Sequence, residues 1–149
     1  MASSGRDKLA WLIASAGGVG GLPKLPGTAG TLVGMAIAVL AASVPAGQAA
    51  ALAAALLLGW WAIPHVQRQL GRNDPPQIVV DEVAGALVTF LGVPLTPAAL
   101  LTGFVVFRLL DIAKPPPIRQ LERLPGAAGV LADDLAAGLV ANLLIRLLL

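Results

Sequence analysis

An all-α fold is what this sequence predicts: a membrane bundle of about five short helices with one polar face. Three observations predict it. Mean hydropathy is +0.84, with 57% hydrophobic residues and 12% charged, whereas soluble domains carry about 25% charged residues. The apolar residues are mostly Ala, Leu, Val and Gly, with no Tyr. They also come in runs, each interrupted by a polar or Gly/Pro loop. At 149 residues the chain is expected to be one domain, 1–149.

The elements follow in order. Residues 1–16 form an amphipathic opening segment whose apolar stretch, Leu9 to Ala16, is too short and lacks the cleavage site of a signal peptide. A Gly/Pro loop, 17–28, leads to helix one, about 29–44, and helix two follows at about 48–63. A polar loop, 64–77, opens at Pro64 and carries His65, Arg68, Arg72 and Asp74. Helix three covers about 78–93 and helix four about 98–113, ended by Pro115, Pro116 and Pro117, which supply no backbone donors. A basic loop with Arg119 and Arg123 precedes helix five, about 131–149. Runs of about sixteen residues are short for a hydrocarbon core that needs about twenty. The acid-bearing helix ends are therefore expected at, or just under, the lipid headgroups.

Charge placement predicts a topology. The two short turns, 45–48 and 92–97, carry no charge. Every Asp and Glu, and nine of the ten Lys and Arg, fall in the N-terminal segment or the stretches 17–28, 64–82 and 108–134. Those segments share one side, cytoplasmic by the positive-inside rule. Arg146 alone lies opposite, where it is expected to snorkel outward. Trp60 and Trp61 read as interfacial anchors. The chain has no basic run, which argues against a nucleic-acid partner, and no Cys, which removes disulfides and thiolate chemistry.

The chemistry-bearing residues concentrate at the polar face. Of eight carboxylates, five lie where polar loops meet apolar helices: Asp81, Glu82, Asp111, Asp133 and Asp134. Charges in apolar segments cost several kcal/mol and persist with partners or a task. Carboxylates on several helices suit Mg²⁺, which takes one or two of them along with water and substrate phosphate. Arg108, Asp111 and Lys114 follow one face of helix four, and both cations would bind phosphate opposite a metal. Pro26-Gly-Thr-Ala-Gly-Thr31 is readable as a capped, closely packed helix start or as an anion cradle. Gly30, Gly34 and Ala38 make a small-residue packing stripe, and Asp134, Gly138 and Asn142 share a face that would put an amide inside the bundle. His65 has no second histidine to support a phosphohistidine role.

Four blocks, Leu22-Pro-Lys-Leu-Pro-Gly-Thr-Ala-Gly-Thr31, Ile78-Val-Val-Asp-Glu-Val-Ala-Gly85, Phe107-Arg-Leu-Leu-Asp-Ile-Ala-Lys-Pro115 and Gly126-Ala-Ala-Gly-Val-Leu-Ala-Asp-Asp-Leu-Ala-Ala-Gly138, resemble in order and spacing the signatures of the phosphatidylglycerophosphatase A family. The resemblance runs from about residue 14 to the end. It implies an all-α, Mg²⁺-dependent enzyme of the bacterial cytoplasmic membrane that converts phosphatidylglycerophosphate to phosphatidylglycerol and phosphate. It implies site residues Thr28, Asp81, Glu82, Arg108, Asp111, Lys114, Asp133 and Asp134. The sequence departs from the family at Gly126-Ala127, where a second Gly is usual, and at Glu122, where Asp is usual.

The expected assignment is then Asp81, Glu82, Asp133 and Asp134 on the metal, the same four with Asp111 as catalytic carboxylates, and Thr28, Arg108 and Lys114 on the phosphate. The absence of Cys, of a second His and of an Asp-x-Asp motif argues against three rival phosphatase chemistries. Attack by metal-activated water is preferred over an aspartyl phosphoenzyme. Membrane lipids are expected partners, and self-association is left open. Two other classes stay open too: a small transporter or ion-binding protein using these carboxylates, and an inert assembly subunit. A transporter predicts charges near the bilayer midplane rather than at helix ends.

Overall fold

The computed structural model describes residues 4–149, so residues 1–3 of the expected opening segment lie outside the described residues. Ser4 starts the first helix. Its hydroxyl accepts the Asp7 N–H at 3.2 Å while Asp7 Oδ2 accepts the Ser4 N–H at 3.0 Å, satisfying two donors that have no helical partner. The elements are α1 (Gly5–Ala14), a 3₁₀ turn (Val19–Gly21), α2 (Pro26–Ala41), α3 (Gly47–Leu70), α4 (Val80–Phe90), α5 (Pro97–Ala113), α6 (Ile118–Leu121) and α7 (Ala127–Leu148). There is no strand among the described residues.

The five expected helices are α2, α3, α4, α5 and α7; the count becomes seven with α1 and the single turn α6. The first covers the amphipathic opening segment, and the second sits in the basic loop, where no apolar run marks a helix. Two boundaries also move. Helix α3 runs past Pro64 to Leu70. The proline removes one backbone bond, but the added turns bury Val66, which joins Ala62 and Ile63 in a core shared with Ala10 and Ala14 of α1. Helix α7 begins four residues earlier than expected, because Gly126 at φ 62° turns the chain into a run of helix-favouring alanines. Asp133 and Asp134 therefore lie nearly two turns inside α7 rather than at its start.

Helix α4 is the axis of the molecule, packed against α2, α3, α5 and α7. Backbones approach closely where glycine stands. A methyl group at Gly34 of α2 would lie 2.7 Å from Val83 O and Ala86 Cβ of α4. At Gly85 of α4 it would meet Phe107 of α5 at 2.5 Å and the Asp134 carbonyl of α7 at 2.9 Å. The Gly30–Gly34–Ala38 stripe does seat α2 on α4.

The uncharged turns share one end. Gln48 donates to Ala38 O and Phe90 O, both at 3.2 Å, and accepts the Gly92 N–H at 3.0 Å, tying the α2–α3 and α4–α5 connections together. Asn142 offers its amide to the Val88, Thr89 and Leu91 carbonyls at 3.0 Å, closing the end of α4. Arg146 stays exposed at this uncharged end. It folds back onto Asn142 Oδ1 at 2.8 Å and the Leu91 and Gly92 carbonyls, because these unpaired acceptors sit within reach.

Helices α3 and α7, at 24 and 22 residues, are long and apolar enough to cross a membrane. Leu32, Val39 and Leu40 of α2, Leu57 and Leu58 of α3, Leu101, Val105, Leu109 and Ile112 of α5 and Leu139 and Leu143 of α7 all point outward uncovered. Soluble monomers rarely expose so much contiguous apolar surface. These features fit a membrane protein.

Candidate active site

The polar end is assembled from the starts of α2, α4 and α7 and the end of α5. Asp81 and Glu82 stand in the first turn of α4, and Asp134 reaches them from α7 across the glycine-lined α4–α7 contact. Carboxylate oxygens of Asp81, Glu82 and Asp134 all lie within 4.8 Å of one another. Asp81 and Asp134 are 7% and 2% exposed. Asp111 of α5 lies beside Asp134, and its own carboxylate is paired with Arg108 one turn earlier. Four carboxylates thus face a single guanidinium.

Their polar atoms are not all satisfied. Asp81 Oδ1, Glu82 Oε2, Asp134 Oδ2 and Arg108 Nε are buried with no hydrogen-bond partner. Orphaned buried charge costs several kcal/mol, and clustered like charges add to that cost. A cation among the oxygens and an anion on the guanidinium would relieve both. The donor set is all hard oxygen, which suits a divalent cation such as Mg²⁺.

Helix α2 points its start at the same place. A methyl group at Gly27 would lie 2.5 Å from Glu82 Oε1 and 3.4 Å from both terminal nitrogens of Arg108. The Gly27 and Thr28 amides precede the helical ladder, so an anion there meets free N–H groups. Thr28 is half-buried in this first turn, while Thr31 turns its hydroxyl back to Gly27 O at 2.9 Å.

Asp133 stands apart from the cluster. Its carboxylate takes Lys114 Nζ at 2.7 Å, and the same ammonium pairs with Glu122. Lys114 is left-handed at φ 45°, ψ 62° rather than extended as its place before Pro115 suggests, because it closes α5 with its N–H on Leu110 O at 2.8 Å. Burial works against its charge, but Asp133 and Glu122 outweigh that and hold the ammonium above its ordinary range. His65 sits on α3 with Nδ1 2.9 Å from Trp61 O, away from all of this.

The family model for phosphatidylglycerophosphatase A matches residues 12–149. The chain belongs to the phosphatidylglycerophosphatase A family. It is 33% identical to a phosphatidylglycerophosphatase A of Escherichia coli over 134 residues, covering 87% of this chain and 77% of that protein. It is 32% identical to a phosphatidylglycerophosphatase A of Haemophilus influenzae over 138 residues, 90% and 85% of the two chains. A Bacteroides thetaiotaomicron protein, provisionally named a phosphatidylinositol-3-phosphatase, is 34% identical over 143 residues, 90% and 89% of the two. No solved structure matches this chain.

In this phosphatidylglycerophosphatase A family member the four quoted sequence blocks meet at one end of the bundle, although up to about a hundred residues separate them in the chain. Two residues at that end were not singled out from sequence. Glu122 pairs with Lys114, and its only sequence signal was the acid preceding Arg123. Asp74 stands at the rim within electrostatic reach of Lys114, Asp133, Glu122 and Asp111. Crowding by the surrounding loops pushes its carboxyl up, opposed by Lys114 and reinforced by the neighbouring acids. It read as part of a polar loop because nothing in the sequence ties residue 74 to residues 111–133.

Proposed function

We propose that this chain is a Mg²⁺-dependent phosphatase that hydrolyses phosphatidylglycerophosphate to phosphatidylglycerol and phosphate at the cytoplasmic face of the bacterial inner membrane. The enzyme class follows from family membership and from the names of the Escherichia coli and Haemophilus influenzae relatives. The observation that carries the mechanism is the set of buried, unpartnered carboxylate oxygens opposite an unpartnered Arg108 nitrogen. Asp81, Glu82 and Asp134 would hold the ion; Asp133 joins them only by exchanging Lys114 for it. A divalent ion held there would supply positive charge for the phosphate oxygens and acidify water.

The chain's own residues do the rest. Arg108 takes two phosphate oxygens with its planar fork while Asp111 fixes the guanidinium. The Gly27 and Thr28 amides donate to the phosphate from the other side, and the missing side chain at Gly27 lets it approach. Lys114 adds a point charge at the rim. Asp111, next to both Arg108 and Asp134, would orient the attacking water and take its proton, which passes to the glycerol oxygen as its bond to phosphorus breaks. The site lies at the polar end of an apolar bundle, so the lipid keeps its acyl chains in the bilayer while its headgroup reaches the carboxylates. Trp60 and Trp61, exposed on α3, anchor that level.

The test is phosphate release from phosphatidylglycerophosphate in mixed micelles. Turnover is expected to vanish in excess chelator and return with Mg²⁺. Asp81→Asn and Asp134→Asn should each lose activity and weaken Mg²⁺ binding by about ten-fold or more. Full turnover in chelator would sink the metal assignment. Phosphatidylinositol 3-phosphate, run in parallel because of the Bacteroides relative's name, decides which headgroup is preferred.

A further inference from the structure

Large apolar side chains stand exposed where the start of α2 meets the end of α5. On α5, Leu109 and Ile112 each follow a residue of the candidate site, Arg108 and Asp111, and both point outward, Ile112 being 71% exposed. At 1.5 Å per residue they lie within about 2 Å of those two residues along the helix axis. Across from them, Leu22 and Leu25 are exposed just ahead of Gly27, where a methyl group would lie 3.4 Å from both terminal nitrogens of Arg108. Leu25 also heads the outward stripe of α2, which Leu32 and Val39 continue at seven-residue spacing.

Leu25 is held in a costly backbone. It is left-handed at φ 52°, ψ 45°, where a bulky residue is an outlier and glycine is the default. Its side chain is 72% exposed, so packing within the chain does little to offset that strain. A leucine gains here only from something outside the chain. Charge indicates what that is. Lys24, between the two leucines, makes no ion pair among the described residues, and no carboxylate occurs in the sequence between Asp7 and Asp74. Apolar side chains flanking an unmatched cation suit the interface of an anionic bilayer. The same level of the molecule therefore carries the phosphate clamp on its inner side and a lipid-facing surface on its outer side.

We propose that the gap between the start of α2 and the end of α5 is a lateral portal for the substrate lipid. Leu22 and Leu25 on one side, and Leu109 and Ile112 on the other, contact the ester region and first methylenes of its acyl chains. The inference rests on the lipid-phosphatase reading above. Gly27, having no side chain, leaves the gap open as far as Arg108. A headgroup sliding between the two leucine-bearing edges reaches the guanidinium and the α2 amides while its chains stay in the bilayer. The portal recognises the acylated part of the lipid. A short-chain analogue with the same headgroup reaches the site from water and makes no use of it.

The test compares long-chain phosphatidylglycerophosphate in mixed micelles with a dibutyryl analogue that is monomeric in water. Leu25→Gly and Ile112→Ser are read against Leu147→Ser, a change at an exposed residue of the opposite end. Glycine fits the left-handed backbone at position 25, so that variant should keep its unfolding midpoint. The expected result is a KM for the long-chain lipid raised about ten-fold or more in both portal variants, as removal of one large apolar contact gives, with KM for the dibutyryl analogue changed less than about two-fold. Leu147→Ser should match the unmodified protein on both substrates. A long-chain KM that does not move in the portal variants overturns the proposal. Equal losses on both substrates also overturn it, because the leucines then shape the site rather than admit the lipid. So does an equal loss in Leu147→Ser, which assigns the effect to general seating in the micelle. An unmodified protein that fails to hydrolyse the long-chain lipid refutes the underlying lipid-phosphatase reading, and this inference with it.

Discussion

Arg108 and Lys114 carry the same formal charge and are held differently. Arg108 is 15% exposed, pinned by Asp111, with Nε left over and its terminal nitrogens beside Gly27. Lys114 is shared between Glu122 at the rim and Asp133 within, on a strained left-handed backbone that its neighbours over-determine. A planar fork aimed at one point tolerates little displacement, whereas a flexible ammonium adapts. Arg108→Lys should therefore keep the charge and still lower kcat/KM by about 100-fold, the scale of an ångström-sized misplacement. Lys114→Arg should lose less. Steady-state rates at saturating Mg²⁺ check the pair, and near-native activity of Arg108→Lys would make that residue a structural ion pair only.

At the scale of elements, the carboxylates meet because glycines let helices touch. Gly85 brings α4 against Phe107 and the Asp134 backbone, so its conversion to Ala must push α5 or α7 away. Overpacking of this kind costs about 1–3 kcal/mol. Gly85→Ala should lower the unfolding midpoint in detergent and, by moving Asp134 from Asp81, weaken Mg²⁺ binding as well. Gly5→Ala, where nothing lies within 4 Å, is the matched control. Equal midpoints for the two variants would mean the contact is looser than drawn. At the opposite end Asn142→Leu should cost about 1–3 kcal/mol, since it strips the partner from several α4 carbonyls and from Arg146.

For the whole molecule the decisive question is orientation. Both uncharged turns lie at one end, joined by Gln48, and the carboxylates lie at the other. The chain has no native cysteine, so single cysteines report cleanly. Replacements at the exposed Ser43 and Ala98 should react with an impermeant thiol reagent added to intact cells, and those at Arg72 and Gln120 should react only after the membrane is opened. Labelling of Gln120→Cys from outside would invert the orientation and move the site to the other leaflet.

By itself the sequence determined the helical class, the grouping of polar residues at one end and the family. These depend on composition, on the spacing of apolar runs and on charge placement, all of which are local. Asp81, Glu82, Asp111 and Asp134 were legible because charge in an apolar segment is costly enough to need a reason. Tertiary structure decided how the acids divide. Asp133 and Asp134 are chain neighbours, yet about 100° apart around a helix. One therefore turns to Lys114 and the other to Asp81 and Glu82. It also decided that α3 continues through Pro64, because packing on α1 outweighs a lost hydrogen bond, and that Arg146 reaches the Leu91 and Gly92 carbonyls. Glu122 and Asp74 stayed hidden for the same reason: their significance lies in which distant groups they face. Long-range packing sets that, and one-dimensional spacing does not.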